Sequence, residues 1–121
     1  MRKKEALAKF LQSLVAGRYA DAERALEVLR KKMAKKGDWG LGYLTALEGF
    51  LGAKRSGDQN AFMINLGEDL KELRALRREF SSHVKLSSHA DYDKGFFAAL
   101  RGLVSTALEL RRQGSQQRNT V

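Results

Sequence analysis

His83 and His89, with Asp91 and Asp93 just beyond them, are the residues from which this chain would assemble a metal site. Such a site needs convergent ligands held on rigid elements. The four lie in or beside Ser81-Ser82-His83-Val84-Lys85-Leu86-Ser87-Ser88-His89-Ala90, a serine-rich and weakly periodic stretch that reads as a connection with at most one further helical turn. The expectation is therefore exposed, unliganded histidines and no metal. Cysteine is absent, which excludes disulfides, thiolate metal sites and cysteine nucleophiles. No phosphate loop, dinucleotide fingerprint or nucleophile elbow is present either. Asp38 and Asp91 would have to act as a pair of catalytic acids. Each instead directly precedes a helix, where an aspartate accepts bonds from the orphan amides of the first turn. A non-enzymatic protein without a cofactor is the expectation.

Charge is more informative. Twenty-three Lys and Arg against fourteen Asp and Glu give a formal net charge of +9 on 121 residues. In so small a domain that excess points to an anionic partner. Arg30, Lys31, Lys32, Lys35 and Lys36 gather without an acid between Glu27 and Asp38. Cations favour a helix carboxyl end, but this accounts for one or two of them rather than five. Lys54, Arg55, Arg77 and Arg78 extend the candidate nucleic-acid-binding set. Arg2, Lys3 and Lys4 at the amino terminus could join it, and Arg111, Arg112 and Arg118 make the far end basic. Phosphate contacts of this kind give steep salt dependence and little sequence preference. Without an evident recognition helix, structured RNA or a ribonucleoprotein is the expected partner ahead of DNA bases. The rival reading is a protein-interaction scaffold or homodimer, with Tyr19, Trp39 and surplus leucines forming an apolar patch.

The elements that must position these residues are helical. Proline is absent, and Ala, Leu, Lys, Arg and Glu dominate. A first helix from about Lys3 to Ala16 carries Leu7, Phe10, Leu11, Leu14 and Val15 on one stripe. A second, from Tyr19 to about Lys36, repeats the spacing with Ala22, Leu26, Leu29 and Met33, and Gly37 closes it. The third runs from Trp39 to about Lys54 and breaks in Arg55-Ser56-Gly57-Asp58. The fourth begins near Gln59 with Phe62, Met63, Leu66, Leu70, Leu73 and Phe80 inward. The fifth follows Asp91 to about Arg112. One domain over 1–112 and a mobile polar basic tail over 113–121 are expected. No apolar run is long enough for a membrane span, and a cytoplasmic protein is the simplest reading.

Residues 38–51 recur in degenerate form at 91–104. Asp38-Trp39-Gly40-Leu41-Gly42-Tyr43 is answered by Asp91-Tyr92-Asp93-Lys94-Gly95-Phe96, and Ala46-Leu47 with Gly49 by Ala99-Leu100 with Gly102. Gly42, Ala46, Gly49 and Ala53, like Gly95, Ala99, Gly102 and Thr106, fall on one narrow helical ridge. Mid-helix glycine costs roughly 0.5 to 1 kcal/mol against alanine, so close backbone approach between these two helices is expected. The fold is then an all-α five-helix bundle of antiparallel hairpins, with the second and third helices related to the fourth and fifth by a pseudo-twofold axis.

Two local resemblances accompany this reading. Ala16-Gly17-Arg18-Tyr19-Ala20-Asp21-Ala22 resembles the turn and second helix of a tetratricopeptide hairpin, extending over residues 16–26, and implies peptide or protein binding in a groove. Arg78-Glu79-Phe80-Ser81-Ser82-His83 has the Arg-x4-His spacing of HEPN-type ribonucleases, which are also small helical domains. That resemblance implies metal-independent RNA cleavage with Arg78 and His83 as catalytic residues.

Overall fold

A computed structural model describes residues 1–57, 70–85 and 90–119, with side chains given as far as residue 113. All its regular elements are helical: α1 (Lys3–Val15), α2 (Tyr19–Met33), a 3-10 turn (Ala34–Lys36), α3 (Gly37–Ser56), α4 (Leu70–Lys85) and α5 (Asp91–Asn119). The protein is an all-α bundle, as its composition and periodicity require. α1 ends in a Schellman turn, with the Gly17 amide donating to the Leu14 carbonyl at 3.1 Å and the Arg18 amide to the Ser13 carbonyl at 2.8 Å. Between α2 and α3 no loop intervenes. Gly37 takes φ 57° and ψ −138°, a combination essentially reserved for glycine, and so redirects the chain within one residue.

Several expected boundaries shift. The α-helical part of α2 stops at Met33, and Lys35 and Lys36 lie in the tighter 3-10 turn that follows. α3 begins two residues early, so Asp38 sits inside its first turn rather than capping it, and the capping position, Lys36, makes no side-chain cap bond. In α5 the Lys94 amide donates to the Ala90 carbonyl at 3.0 Å, which puts Ala90 at the cap and Asp91 in the first turn. Both aspartates therefore act through their charge at the positive end of a helix. α4 continues to Lys85, so His83 lies on a helix and not in a connection. α5 passes the expected end at Arg112 and stays helical to Asn119, because no proline interrupts the backbone ladder and Gln and Arg are good helix formers. Phe62, Met63, Leu66, Asp58, Gln59 and His89 lie outside the described residues.

The core combines the expected stripes. Leu7, Phe10, Leu11 and Leu14 of α1 are buried, as are Ala22, Leu26, Leu29 and Met33 of α2. Val15 and Leu70 depart from the pattern at 70 % and 41 % exposed. α2 packs on α3 and α4 on α5, and the two hairpins meet where α3 crosses α5; α1 lies on α2 and also touches α5.

That crossing is reciprocal. A Cβ on Gly42 would overlap the Tyr92 carbonyl oxygen and lie 2.8 Å from its carbon. A Cβ on Gly95 would overlap the Trp39 carbonyl oxygen and lie 2.7 Å from its carbon. Gly42 corresponds to Gly95 and Trp39 to Tyr92 in the two copies, so equivalent residues make equivalent contacts across the pseudo-twofold. The ridge is used only at its first step. Gly49 faces open space, and Gly102 faces Leu7 of α1.

Candidate nucleic-acid interface

α1 lies over α5, among the described residues no helix takes the equivalent place over α3, and beside the α1–α5 contact runs a groove of about 770 Å³. Its cations are Lys3 and Lys4 from the first turn of α1, Arg77 from α4 and Arg101 from α5. Glu5 and Glu109 also line it. Glu109 is committed to Arg112 at 2.6 Å, and its carboxyl is held below the usual range chiefly by that bond. The balance in the groove is positive.

An aromatic pair lies within it. Trp39 stacks on Tyr43 with ring centroids 5.4 Å apart and planes 22° from parallel, as expected for residues four apart on one helix. The Lys3 ammonium stands 5.3 Å from the Trp39 ring centroid and 5.0 Å from that of Tyr43. Lys3 is held below the ordinary lysine range, first by partial withdrawal from water and then by the cations Lys36 and Arg101. Like charges from three separate elements thus come close together, one of them directly over the aromatic pair.

Tyr43 is only 1 % exposed, and among the described residues its hydroxyl is a buried polar group without a hydrogen-bond partner. Burial pushes its phenol up to about 12. The wall beside it is Gly102, where a Cβ would stand 3.9 Å from the hydroxyl and 2.9 Å from the Leu7 side chain. The hydroxyl is thus enclosed, and the groove-lining residue Gly102 beside it contributes no side chain.

The expected basic residues separate into groups. Arg30 is bound to Glu27 at 2.9 Å and Glu48 at 3.4 Å, with Glu23 at 3.9 Å, and the Glu27 bond leads in raising its pKa. Arg55 pairs with the same Glu23 at 3.4 Å and lies over the Tyr19 ring. These two arginines tie α2 to α3. Tyr19 reinforces the junction by donating its hydroxyl to the Lys54 carbonyl at 3.3 Å. Lys31, Lys32 and Lys35 are exposed at the end of α2 and in the 3-10 turn. Lys36 lies near Lys3, and Arg77 lines the groove, so the basic end of α2 continues into it. Arg78 is exposed on α4 and does not line it.

Arg78 and His83 do not converge. Five residues along one helix rotate the side chain by roughly 140°. Arg78 points to solvent, whereas His83 is half-buried and stacked on Phe97 of α5, centroids 4.3 Å apart. This placement makes His83 a packing residue between α4 and α5.

Arg101 and Tyr43 were not singled out from the sequence, yet the repeat contains their signal. Tyr43 corresponds to Phe96 and Arg101 to Glu48. Phe96 shows that an aromatic ring satisfies this position without a hydroxyl. Glu48 answers Arg30 across the α2–α3 junction, while its counterpart Arg101 turns a cation toward the groove. The copies differ where the groove is built.

Comparisons with protein-family models, with curated proteins and with solved structures find no match to the chain. The fold and the groove together define a class: an all-α bundle with a cationic groove that holds an aromatic pair. Among the described residues no helix is long and apolar enough to cross a membrane.

Proposed function

We propose that the protein is a non-catalytic RNA-binding module whose contact surface runs from the basic end of α2 through Lys36 into the groove between α1 and α5. The observation that carries this reading is Lys3 standing over Trp39 and Tyr43 with the cations Lys36 and Arg101 close enough to repel it. Holding like charges together raises the free energy of the unliganded protein, and an anion relieves it. Aromatic faces beside phosphate-binding cations are the combination that single-stranded nucleic acid uses, because every base offers a face to stack. Among the described residues the exposed large hydrophobic residues Met1, Val15, Leu41 and Leu70 belong to different segments of the chain rather than to one helix face.

Filter binding to transfer or ribosomal RNA at low and moderate salt tests the proposal. Retention at low salt with a steep loss on adding salt is expected. No retention even at low salt overturns it.

A further inference from the structure

We infer that the groove between α1 and α5 receives one nucleotide of a single RNA strand, with the base against Trp39, the phosphate between Lys3 and Arg101, and an acceptor oxygen on the Tyr43 hydroxyl. This rests on the RNA reading and goes beyond it by naming a seat for a single residue of the strand. Size agrees with it. About 770 Å³ is within the range of small-molecule pockets, and a nucleotide enters such a space only when its base is unpaired.

The Tyr43 hydroxyl is an independent pointer to a ligand. A buried donor left without a partner opposes folding, and the equivalent Phe96 shows that packing does not demand it. The hydroxyl is enclosed in the free protein, and among its neighbours Gly102, which lines the groove, carries no side chain to bar a ligand once Lys3 moves. Lys3 occupies the aromatic surface in the free protein. Its long flexible chain, on an exposed residue, lets the ammonium turn from the ring faces to an arriving phosphate and uncover Trp39 for the base. Ser105 and Gln113 add polar groups along the groove, suited to a ribose and a neighbouring phosphate. Glu5 and Glu109 are the carboxylates of the groove, and Glu109 is answered by Arg112.

Trp39 is the sole tryptophan, so its fluorescence reports on the groove alone. The full chain is titrated with a short unstructured oligoribonucleotide while filter retention is followed in parallel. Quenching of Trp39 at the concentrations that give retention is expected. Tyr43→Phe should weaken binding about fivefold, the loss of one hydrogen bond, with a melting temperature unchanged or raised. A purely structural tyrosine would instead lower the melting temperature. Lys3→Gln and Arg101→Gln should each weaken binding further, and Arg24→Gln, which removes a cation outside the groove, should not. RNA retained with unchanged Trp39 emission, or with Tyr43→Phe binding like the wild type, overturns the groove assignment and leaves the RNA reading standing. Adenosine monophosphate or inorganic phosphate quenching as well as the oligonucleotide at equal concentration overturns the strand assignment in favour of a small-anion site. Absence of any retention at low salt removes the RNA reading itself.

Discussion

Gly42 and Gly95 hold the two halves of the protein together by having no side chains: each admits a carbonyl from the first turn of the opposite helix, Tyr92 for Gly42 and Trp39 for Gly95. The contact fixes where α3 crosses α5. It also fixes Trp39 and Tyr43, one turn apart on α3, relative to Arg101 on α5, and so it sets the geometry of the groove.

Three glycines of α3 should consequently respond to alanine in three ways. Gly42→Ala, like Gly95→Ala, forces backbones apart and should cost about 2 to 3 kcal/mol, near the top of the overpacking range. Gly37→Ala meets no atom within 4 Å but must adopt a positive φ, and should cost about 1 to 3 kcal/mol through backbone strain. Gly49→Ala has open space and ordinary helical geometry, so it should stabilise by about 0.5 to 1 kcal/mol. Denaturant midpoints measure all three. The Gly42→Ala/Gly95→Ala double variant should cost clearly less than the sum, because one separation of the helices relieves both overlaps.

Tyr43→Phe removes a buried hydroxyl that has no partner, and should raise the unfolding free energy by up to about 1 kcal/mol near neutral pH. Alkaline pH sharpens the test. The phenol ionises near 10.0 in the unfolded chain and near 12 in the folded one, so between these values the folded state retains more protons. Stability from this group is fully present below pH 10 and falls as pH rises toward 12, by an amount of order 2 kcal/mol over the whole window. The phenylalanine variant lacks that component of the slope. Denaturant midpoints of the two proteins from pH 9 to 11.5 should therefore diverge in favour of the variant.

The cations should divide by their partners. Replacing Lys31, Lys32 and Lys35 together by glutamine should lower RNA affinity and reduce the log-log salt slope by up to roughly 2. Arg30→Gln and Arg55→Gln should leave the slope nearly unchanged, since Glu23, Glu27 and Glu48 already answer these charges. Their cost is to stability instead, up to about 1 kcal/mol each for exposed pairs. Equal loss of slope in both sets would show that the acids do not shield these arginines.

His83→Ala should destabilise the α4–α5 pair by about 0.5 to 1.5 kcal/mol through loss of the stack on Phe97. RNA incubated without metal should remain intact with wild type and variant alike. Cleavage by the wild type that disappears in the variant would instead favour the ribonuclease resemblance.

Much of the fold was legible because its causes are local. The stripe Leu7, Phe10, Leu11, Leu14 and the stripe Ala22, Leu26, Leu29, Met33 are buried as their spacing requires. The repeat identified the two helices that cross and the glycines that could allow it. Gly49 shows the limit: helical spacing aligns four small residues on a ridge, but two helices crossing at an angle separate after one turn, and only the first step is in contact. Asp38 missed the cap by two positions and Asp91 by one, because each helix starts sooner than its first apolar side chain implies.

The candidate site was harder to read. The basic end of α2 was visible as a run of charge, but Arg30 and Arg55 are neutralised by Glu48 and Glu23, acids contributed by other helices. Lys3, Tyr43 and Arg101 are far apart in the chain and meet only in the fold.

The sequence by itself determined that this protein is helical, which faces of its helices are apolar, and that two of those helices are versions of one another; hydrogen-bond periodicity and side-chain spacing suffice for each. Tertiary structure decided which charges remain unanswered and where an aromatic pair lies beside them. Electrostatic and stacking energies depend on separation in space, and the packing of α1 against α2 and α5 set those separations.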